Sequence, residues 1–379
     1  MPAERPFDLA VVGAGIVGLA CALAAARRGK RVVVIDRDAQ ANGASVRNFG
    51  FVTVTGQARG QMWRRARRSR EVWAEVAAEA GVAVLHHGLL MTARRPESVA
   101  LIEAFLATEM GEGCRLLDAA ALARRQPGLE GSELLGALWS PHELRVESRA
   151  AIPRLASWLE TRRGVVFRRG TAVLAVETSR VITSRGVIEA DAVAVCPGDD
   201  LISLFADRIA AHGVTRCKLQ MLRLADPGFR LTAAVMSDLG LERYAGYGAL
   251  PQAAPLRARL RAEQPEHLAN GVHLIVVQSA DGGLVVGDSH HYAPTPDPFA
   301  AEAVDALILE EFAAVFGRPA PPVTERWTGT YASASARTVL IDTPLPGVRL
   351  VMVTTGAGAS TGFALGEEVV ADLFGGASA

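Results

Sequence analysis

The chain has 379 residues, with 40 basic and 40 acidic side chains, a pI near 7.1 and 50% hydrophobic content. That length and balance suit a folded chain with full cores, and the neutral charge leaves no field to draw nucleic acid or an anionic membrane surface. No apolar run approaches the ~20 residues that span a bilayer, and the first strand starts near residue 7 with no room for a leader, so a cytoplasmic protein without a transmembrane segment is expected.

Taken from the N-terminus, Asp8-Leu9-Ala10-Val11-Val12 is an apolar strand that runs into Gly13, Gly15 and Gly18 and then into a helix. A second apolar strand, residues 31–35, ends on Asp36 and Arg37. This is the full GxGxxG pattern of a dinucleotide site. Gly13 makes the tight turn, Gly15 admits a pyrophosphate to the backbone, and Gly18 lets helix and strand pack closely. The helix start, with Ile16 and Val17, offers N–H groups to phosphates, and Asp36 stands where a ribose hydroxyl is read. An ordinary glycine turn in a βαβ unit is the plainer alternative.

A glycine-rich loop, residues 41–50, follows and carries Gly43, Ser45, Arg47 and Asn48. Residues 61–80 predict a helix with Met62, Ala66, Trp73, Val76 and Ala77 on one face. Arg64, Arg65, Arg67, Arg68 and Arg70 fall mostly opposite and read as a solvated face rather than an anion patch. A strand at 89–91, helices at 98–110 and 119–125, and a link after Pro127 lead to a helix at 150–162. Short strands are predicted at 165–167, 172–178, 180–183 and 187–189. An apolar stretch then closes on Val195-Cys196-Pro197-Gly198-Asp199, a second cofactor-type turn.

Beyond Thr215 the pattern changes to alternating strands, 218–224, 272–278 and 283–287. Alternation puts Lys218 and Gln220 on one face; Lys218, one of two lysines with Lys30, either grips an anionic group or is a solvated sheet lysine. His290 and His291 follow a strand and point to opposite sides, so at most one faces a site, the other reading being a hydrogen-bonded structural histidine. A helix at 299–316, a linker at 317–322, a strand at 348–353, a glycine turn at 356–362 and a helix at 363–374 complete the chain. Cys21, Cys114, Cys196 and Cys217 lack CxxC or zinc spacing and read as buried thiols, and the histidines make no metal or nucleophile pattern, so no metal is expected.

The C-terminal glycine turn separates the two obvious cofactors, because a nicotinamide-dependent dehydrogenase needs no second turn there. On GAGIVG with Asp36, GASVRN at 43–48, VCPGD at 195–199 and TTGAGASTGFALGEE from Thr354, the chain resembles the FAD-dependent D-amino acid oxidase, glycine oxidase and sarcosine oxidase superfamily. More closely, GASVRNFGF, RCKLQMLR, GDSHHY and TGAGAST are similar to a subfamily of flavin oxidoreductases associated with aminophosphonate breakdown.

The resemblance implies an α/β fold in which a Rossmann-like, glutathione reductase-like FAD-binding domain (1–85, 145–214, 325–379) is interleaved with a substrate domain (86–144, 215–324) on a mostly antiparallel sheet. It implies cofactor contacts at Gly13, Gly15, Ile16, Val17, Asp36, Arg37, Ser45, Arg47, Asn48, Gly198, Gly356, Gly358, Ala359, Ser360 and Thr361. With no cysteine between residues 326 and 331, FAD is expected to be held noncovalently.

The flavin accepts the electrons, so the protein has to hold a small-molecule amine and tune the ring. Arg47 stands where a cation stabilises the reduced anion, the alternative being a surface arginine. His290 matches in position a histidine that lines the substrate pocket in sarcosine oxidase-like relatives, and Lys218, from its sheet face, and Tyr331 complete the candidate catalytic set. Relatives that oxidise amino acids usually carry an arginine after a Trp-x-Gly element, whereas Trp327-Thr328-Gly329 is followed here by Thr330 and Tyr331. Tyr331, Arg337 or Arg326 is then left to hold another headgroup, such as a phosphonate. By alignment, the lysine that assists dioxygen activation corresponds to Val285, which leaves dioxygen or another electron acceptor open. The implied activity is oxidation of the C–N bond of a primary or N-methylated amine to an imine. An amino acid or sarcosine-type oxidase, an NAD-dependent dehydrogenase and a non-catalytic flavoprotein subunit or redox sensor are the alternatives.

Overall fold

The computed structural model describes residues 6–129 and 132–375. Strands Phe7–Val12 and Val32–Ile35 are apolar on both faces, so they need cover on both sides and pair in parallel, joined by the helix Ile16–Arg27. Gly186–Val195 and Val348–Val353 extend this sheet in parallel on one side and Val166–Arg168 on the other. The helices Gln61–Ala80 and Gly358–Phe374 pack over its face, with Trp73 edge-on to Phe363 at 5.0 Å between ring centroids. At the turn after the first strand, Gly13 has φ +101°, and a Cβ there would lie 2.4 Å from the Cys196 carbonyl oxygen, so no L side chain fits.

The second sheet has ten strands, all pairs antiparallel except Ala234–Met236 beside Val84–Ala93. Its long members Thr215–Leu224 and Val323–Ser333 pair with Cys217 opposite Tyr331 and Lys218 opposite Thr330. Alternation sends Cys217, Leu219 and Met221 into one apolar core and Leu222 and Leu224 into another beneath the helix Glu302–Phe316. The two sheets meet where Ser333 bridges Thr355, at the start of the C-terminal glycine turn.

The α/β class and the mostly antiparallel second sheet agree with expectation; several element limits do not. The strands at 187–189 and 192–195 are one strand, Gly186–Val195, that also pairs antiparallel with Arg180–Thr183. Gly136–Val146, a central strand, interrupts the stretch read as a link, because its Pro141 and charged residues mask the alternation. The predicted helix 98–110 is Pro96–Leu106 followed by a 3-10 turn at Glu109–Gly111. The last helix begins at Gly358 rather than 363, since small residues admit the helical backbone as readily as a turn. Phe299 is exposed and outside the helix, which starts at Glu302. The expected segment boundaries at 85, 145 and 325 fall inside the strands Val84–Ala93, Gly136–Val146 and Val323–Ser333, all of which belong to the second sheet.

Candidate active site

A cavity of about 770 Å³ runs from the start of the helix Ile16–Arg27, past the loop at 44–50, to a group of polar side chains on the second sheet. Gly15, Ile16, Val17, Ser45, Arg47, Asn48, Gly198, Gly356, Gly358, Ala359 and Ser360 line it. The helix geometry leaves first-turn N–H groups without intrahelical acceptors. Ser45 Oγ accepts the Ile16 N–H at 2.9 Å, so Ser45 holds the loop against the helix, and Val17 and Gly18 of the same first turn line the cavity. Asn48 spends its side chain inside its own loop, donating to Ala44 O at 2.6 Å and accepting from Gly50 N at 2.7 Å.

Other expected cofactor residues stand outside the cavity or turn away from it. Asp36 accepts the Ala14 N–H at 2.6 Å and the Asp38 N–H at 2.8 Å, stapling the glycine turn to the second strand. Arg37 pairs with Asp200 at 2.9 Å on an exposed rim. Thr361 is buried and its hydroxyl turns back to Ala357 O at 2.8 Å, because a threonine in the first turn finds the preceding carbonyl within reach. Ser360 Oγ bonds Thr53 N at 2.9 Å and so fixes the helix start to the second sheet's edge.

The residues present fit FAD. A glycine turn that no Cβ can enter, a helix N-terminus at the cavity, and a half-buried Arg47 lining it make a cradle for a diphosphate and a ring that gains charge on reduction. Gly356 has φ +74°, and a Cβ there would lie 3.1 Å from the Tyr331 ring, so the turn and Tyr331 pack edge to edge on the same cavity wall.

At the far end of the cavity the second sheet brings together His290, Tyr331, His273, Asp288, Arg243, Tyr244 and Tyr292. His290 is 8% exposed, shares Nδ1 with Gly271 O at 2.9 Å, and stands edge-on to Tyr331 at 6.3 Å. His273 and Asp288 are clamped by reciprocal backbone bonds, Asp288 N to His273 O at 3.2 Å and His273 N to Asp288 O at 3.3 Å. Burial drives the His273 and His290 imidazoles well below their ordinary range, and the Arg243 charge adds to it, so both are neutral. Burial pushes the Asp288 carboxyl up to about 7, against the pull of Arg243. Burial likewise keeps the Tyr331 phenol protonated.

Arg243 lines the same wall, half-buried, and donates to Tyr292 Oη at 3.1 Å. Burial opposes its charge, but a guanidinium stays protonated across the working range, so Arg243 is a fixed cation there. Among the described residues no carboxylate lies within ion-pair distance of it. Its short helix, Leu239–Arg243, hangs on the fully buried Asp238, which takes two bonds from Arg95 Nη1 at 2.9 Å and one from Ser98 at 2.8 Å.

Three sequence-derived assignments are corrected. Lys218 is 5% exposed but faces away from the cavity, donating to Asp297 and to Phe299 O, each at 2.9 Å; its strand neighbour Leu219 is the one that lines the site. Gln220, on the same face, bonds Asp305 at 2.7 Å. Arg326 pairs with Asp305 at 2.9 Å, and Arg337 is exposed outside the cavity, so neither is a headgroup ligand. Of the two histidines only His290 lines the cavity, while His291 bonds Asn270 at 3.1 Å. Asp288 was within reach of the sequence, since it precedes His290 by two positions in GDSHHY and an extended chain puts both on one side. Arg243 and His273 carry no such signal.

A two-sheet α/β fold with a dinucleotide turn and a cavity joining it to a buried polar cluster is the architecture of a dinucleotide-binding protein with a substrate pocket beside the cofactor site. The chain belongs to the DAO family of FAD dependent oxidoreductases, which it matches over residues 8–373, so FAD is its cofactor and the nicotinamide alternative falls away. Its fold is that of glycine oxidase from Bacillus cereus ATCC 14579, at a TM-score of 0.77 and 17% identity over 97% of this chain and 95% of that one. Iminodiacetate oxidase from Chelativorans sp. BNC1 shares it at a TM-score of 0.71 and 19% identity, over 98% and 96%. The bifunctional protein ThiO/ThiG of Nostoc sp. is 29% identical over 238 residues, 58% of this chain; the match spans 34% of that longer relative. Among the described residues no helix is long and apolar enough to cross a membrane.

Proposed function

We propose that this FAD-dependent oxidoreductase oxidises the C–N bond of a small primary or N-methylated amine that carries an anionic group, of the 2-aminoethylphosphonate type, to an imine that water hydrolyses to carbonyl and amine. The observation that carries the reading is Arg243, a guanidinium on the cavity wall whose hydrogen bond goes to the Tyr292 hydroxyl and not to a carboxylate. The arginine expected after Trp327-Thr328-Gly329 is absent, so Arg243 takes over recognition of the anionic end from a different element. A phosphonate offers three oxygens and up to two charges to a planar fork of donors.

FAD, when bound, would supply the two-electron acceptor for the hydride on the carbon next to nitrogen. The chain then has to bind and orient the amine: Arg243 and Tyr292 at the anionic end, His290 and Tyr331 along the wall, and Arg47 on the cofactor side. The interleaved segments 1–85, 145–214 and 325–379, less the second-sheet strands at their edges, form the FAD-binding part of this reading, and FAD is noncovalent, with no cysteine in residues 326–331. Similarity to a glycine oxidase and an iminodiacetate oxidase supports an amine substrate; dioxygen or another acceptor completes the cycle.

The test is product analysis with 2-aminoethylphosphonate, its N-methyl derivative, sarcosine, glycine and D-alanine, with hydrazine trapping of the carbonyl. A trapped phosphonate aldehyde with release of ammonia or methylamine supports the reading. Turnover confined to glycine or D-alanine replaces it with an amino acid oxidase.

A further inference from the structure

Resting on that reading, we propose that Asp288, backed by His273, is the proton acceptor for the bound amine. A small amine arrives as an ammonium, which has no lone pair and cannot release a hydride from the adjacent carbon. One N–H bond must first break, with its electron pair staying on nitrogen. The proton then forms an O–H bond on Asp288, and it returns to solvent after the product leaves. The hydride goes to the flavin.

The geometry singles out this carboxyl. Asp288 is buried on the cavity wall, its Oδ1 has no hydrogen-bond partner, and His273 Nδ1, also without one, stands 3.3 Å away. A carboxyl with an idle buried oxygen is costly and is held in place here by the two backbone bonds between Asp288 and His273. His290 Nε2 stands 3.7 Å from Asp288 Oδ2 and, with Nδ1 taken by the Gly271 carbonyl, turns a lone pair to the same spot.

Asp288 is faced by Arg243 and Tyr244 from the helical segment, by His273 and His290 from its own sheet, and by Cys217 from the neighbouring strand. Of these only Arg243 is charged at neutral pH. It is a fixed positive charge beyond ion-pair distance, so it is free to hold the anionic end of a zwitterion whose cationic end meets Asp288. The three donors of His273, Asp288 and His290 lie within 4.8 Å of one another, a spacing that also suits a metal ion, but the Arg243 charge on the same wall repels a divalent cation. A carboxyl poised near neutrality suits proton transfer at working pH.

The experiment is anaerobic single-turnover flavin reduction of the holoenzyme across pH 5–9.5, in wild type, Asp288→Asn and Asp288→Glu. The wild-type rate is expected to climb to a plateau with its midpoint near neutrality. Asp288→Asn should be about 500-fold slower at pH 7 and climb tenfold per pH unit without a plateau, limited by the amine's own ionisation at about 10. Asp288→Glu should restore the plateau. A wild-type midpoint retained in Asp288→Asn overturns the proposal, as does one equivalent of divalent metal in dialysed wild type that is lost in the variant. A substrate-free pH titration of the flavin spectrum stands apart from turnover. A transition near neutrality that Asp288→Asn abolishes supports the proton site even if no amine reduces the flavin, a result that would overturn only the amine reading. No transition, or one that persists in Asp288→Asn, removes Asp288.

Discussion

At the scale of residues, the site turns on charges that the fold leaves unpaired. Arg243 on the cavity wall is destabilising to bury unless an anion completes it, and a charge-assisted pair with substrate is worth about 1.5–3 kcal/mol. Arg243→Ala should therefore lower kcat/KM for an anionic amine by about 10–100-fold while leaving bound flavin unchanged. Equal loss with an uncharged amine of the same size would contradict the assignment. The Asp288 carboxyl sets a second prediction through stability. Its folded-state value is raised by burial to about 7, so the folded chain holds a proton that the unfolded chain gives up above about 4. That contribution is complete below the unfolded value and lost as pH rises through 7. Melting curves of Asp288→Asn should match wild type near pH 4 and stand above it from pH 7 upward; a gap that does not widen with pH would refute this. The neutral, depressed His273 and His290 slope the other way, losing stability as pH falls below about 6.5.

At the scale of elements, legibility followed how local the information was. The first βαβ unit was readable because strand, glycines, helix and Asp36 are contiguous and each has its own steric job. His290 and Tyr331 were reachable through the resemblance, and the structure puts both on the cavity wall. Arg243 was not, because its five-residue helix has no periodicity of its own and is held by a tertiary bond network around Asp238. Lys218 misled for the opposite reason: alternation gave its face correctly, but which face looks into the cavity is decided by the helix and loop at 297–305 that cover it. The Asp238 network makes its own prediction. Arg95→Ala leaves a fully buried carboxylate short of its main partner, a loss of about 3–5 kcal/mol, and should loosen the segment that carries Arg243. Denaturant unfolding with the binding constant of an anionic amine checks both; a near-neutral variant would show that Asp238 does not anchor the helix.

At the scale of the molecule, the cavity joins two sheets of different construction, a parallel one that ends at the glycine turn and an antiparallel one that supplies the polar cluster. A cofactor lying between them adds contacts to both, so FAD at 100 times its dissociation constant should stabilise the apoprotein by about 2.7 kcal/mol. A single, FAD-dependent unfolding transition is expected, and a second transition indifferent to FAD would mean that the second sheet folds on its own. The most direct test of the central claim is an anaerobic titration of the holoenzyme with N-methyl-2-aminoethylphosphonate and 2-aminoethylphosphonate, following the ~450 nm flavin band. Stoichiometric bleaching by at least one of them is expected, with ethylamine far weaker. A flavin that stays oxidised with both while glycine or sarcosine bleaches it would contradict the phosphonate-type substrate and replace it with an amino acid.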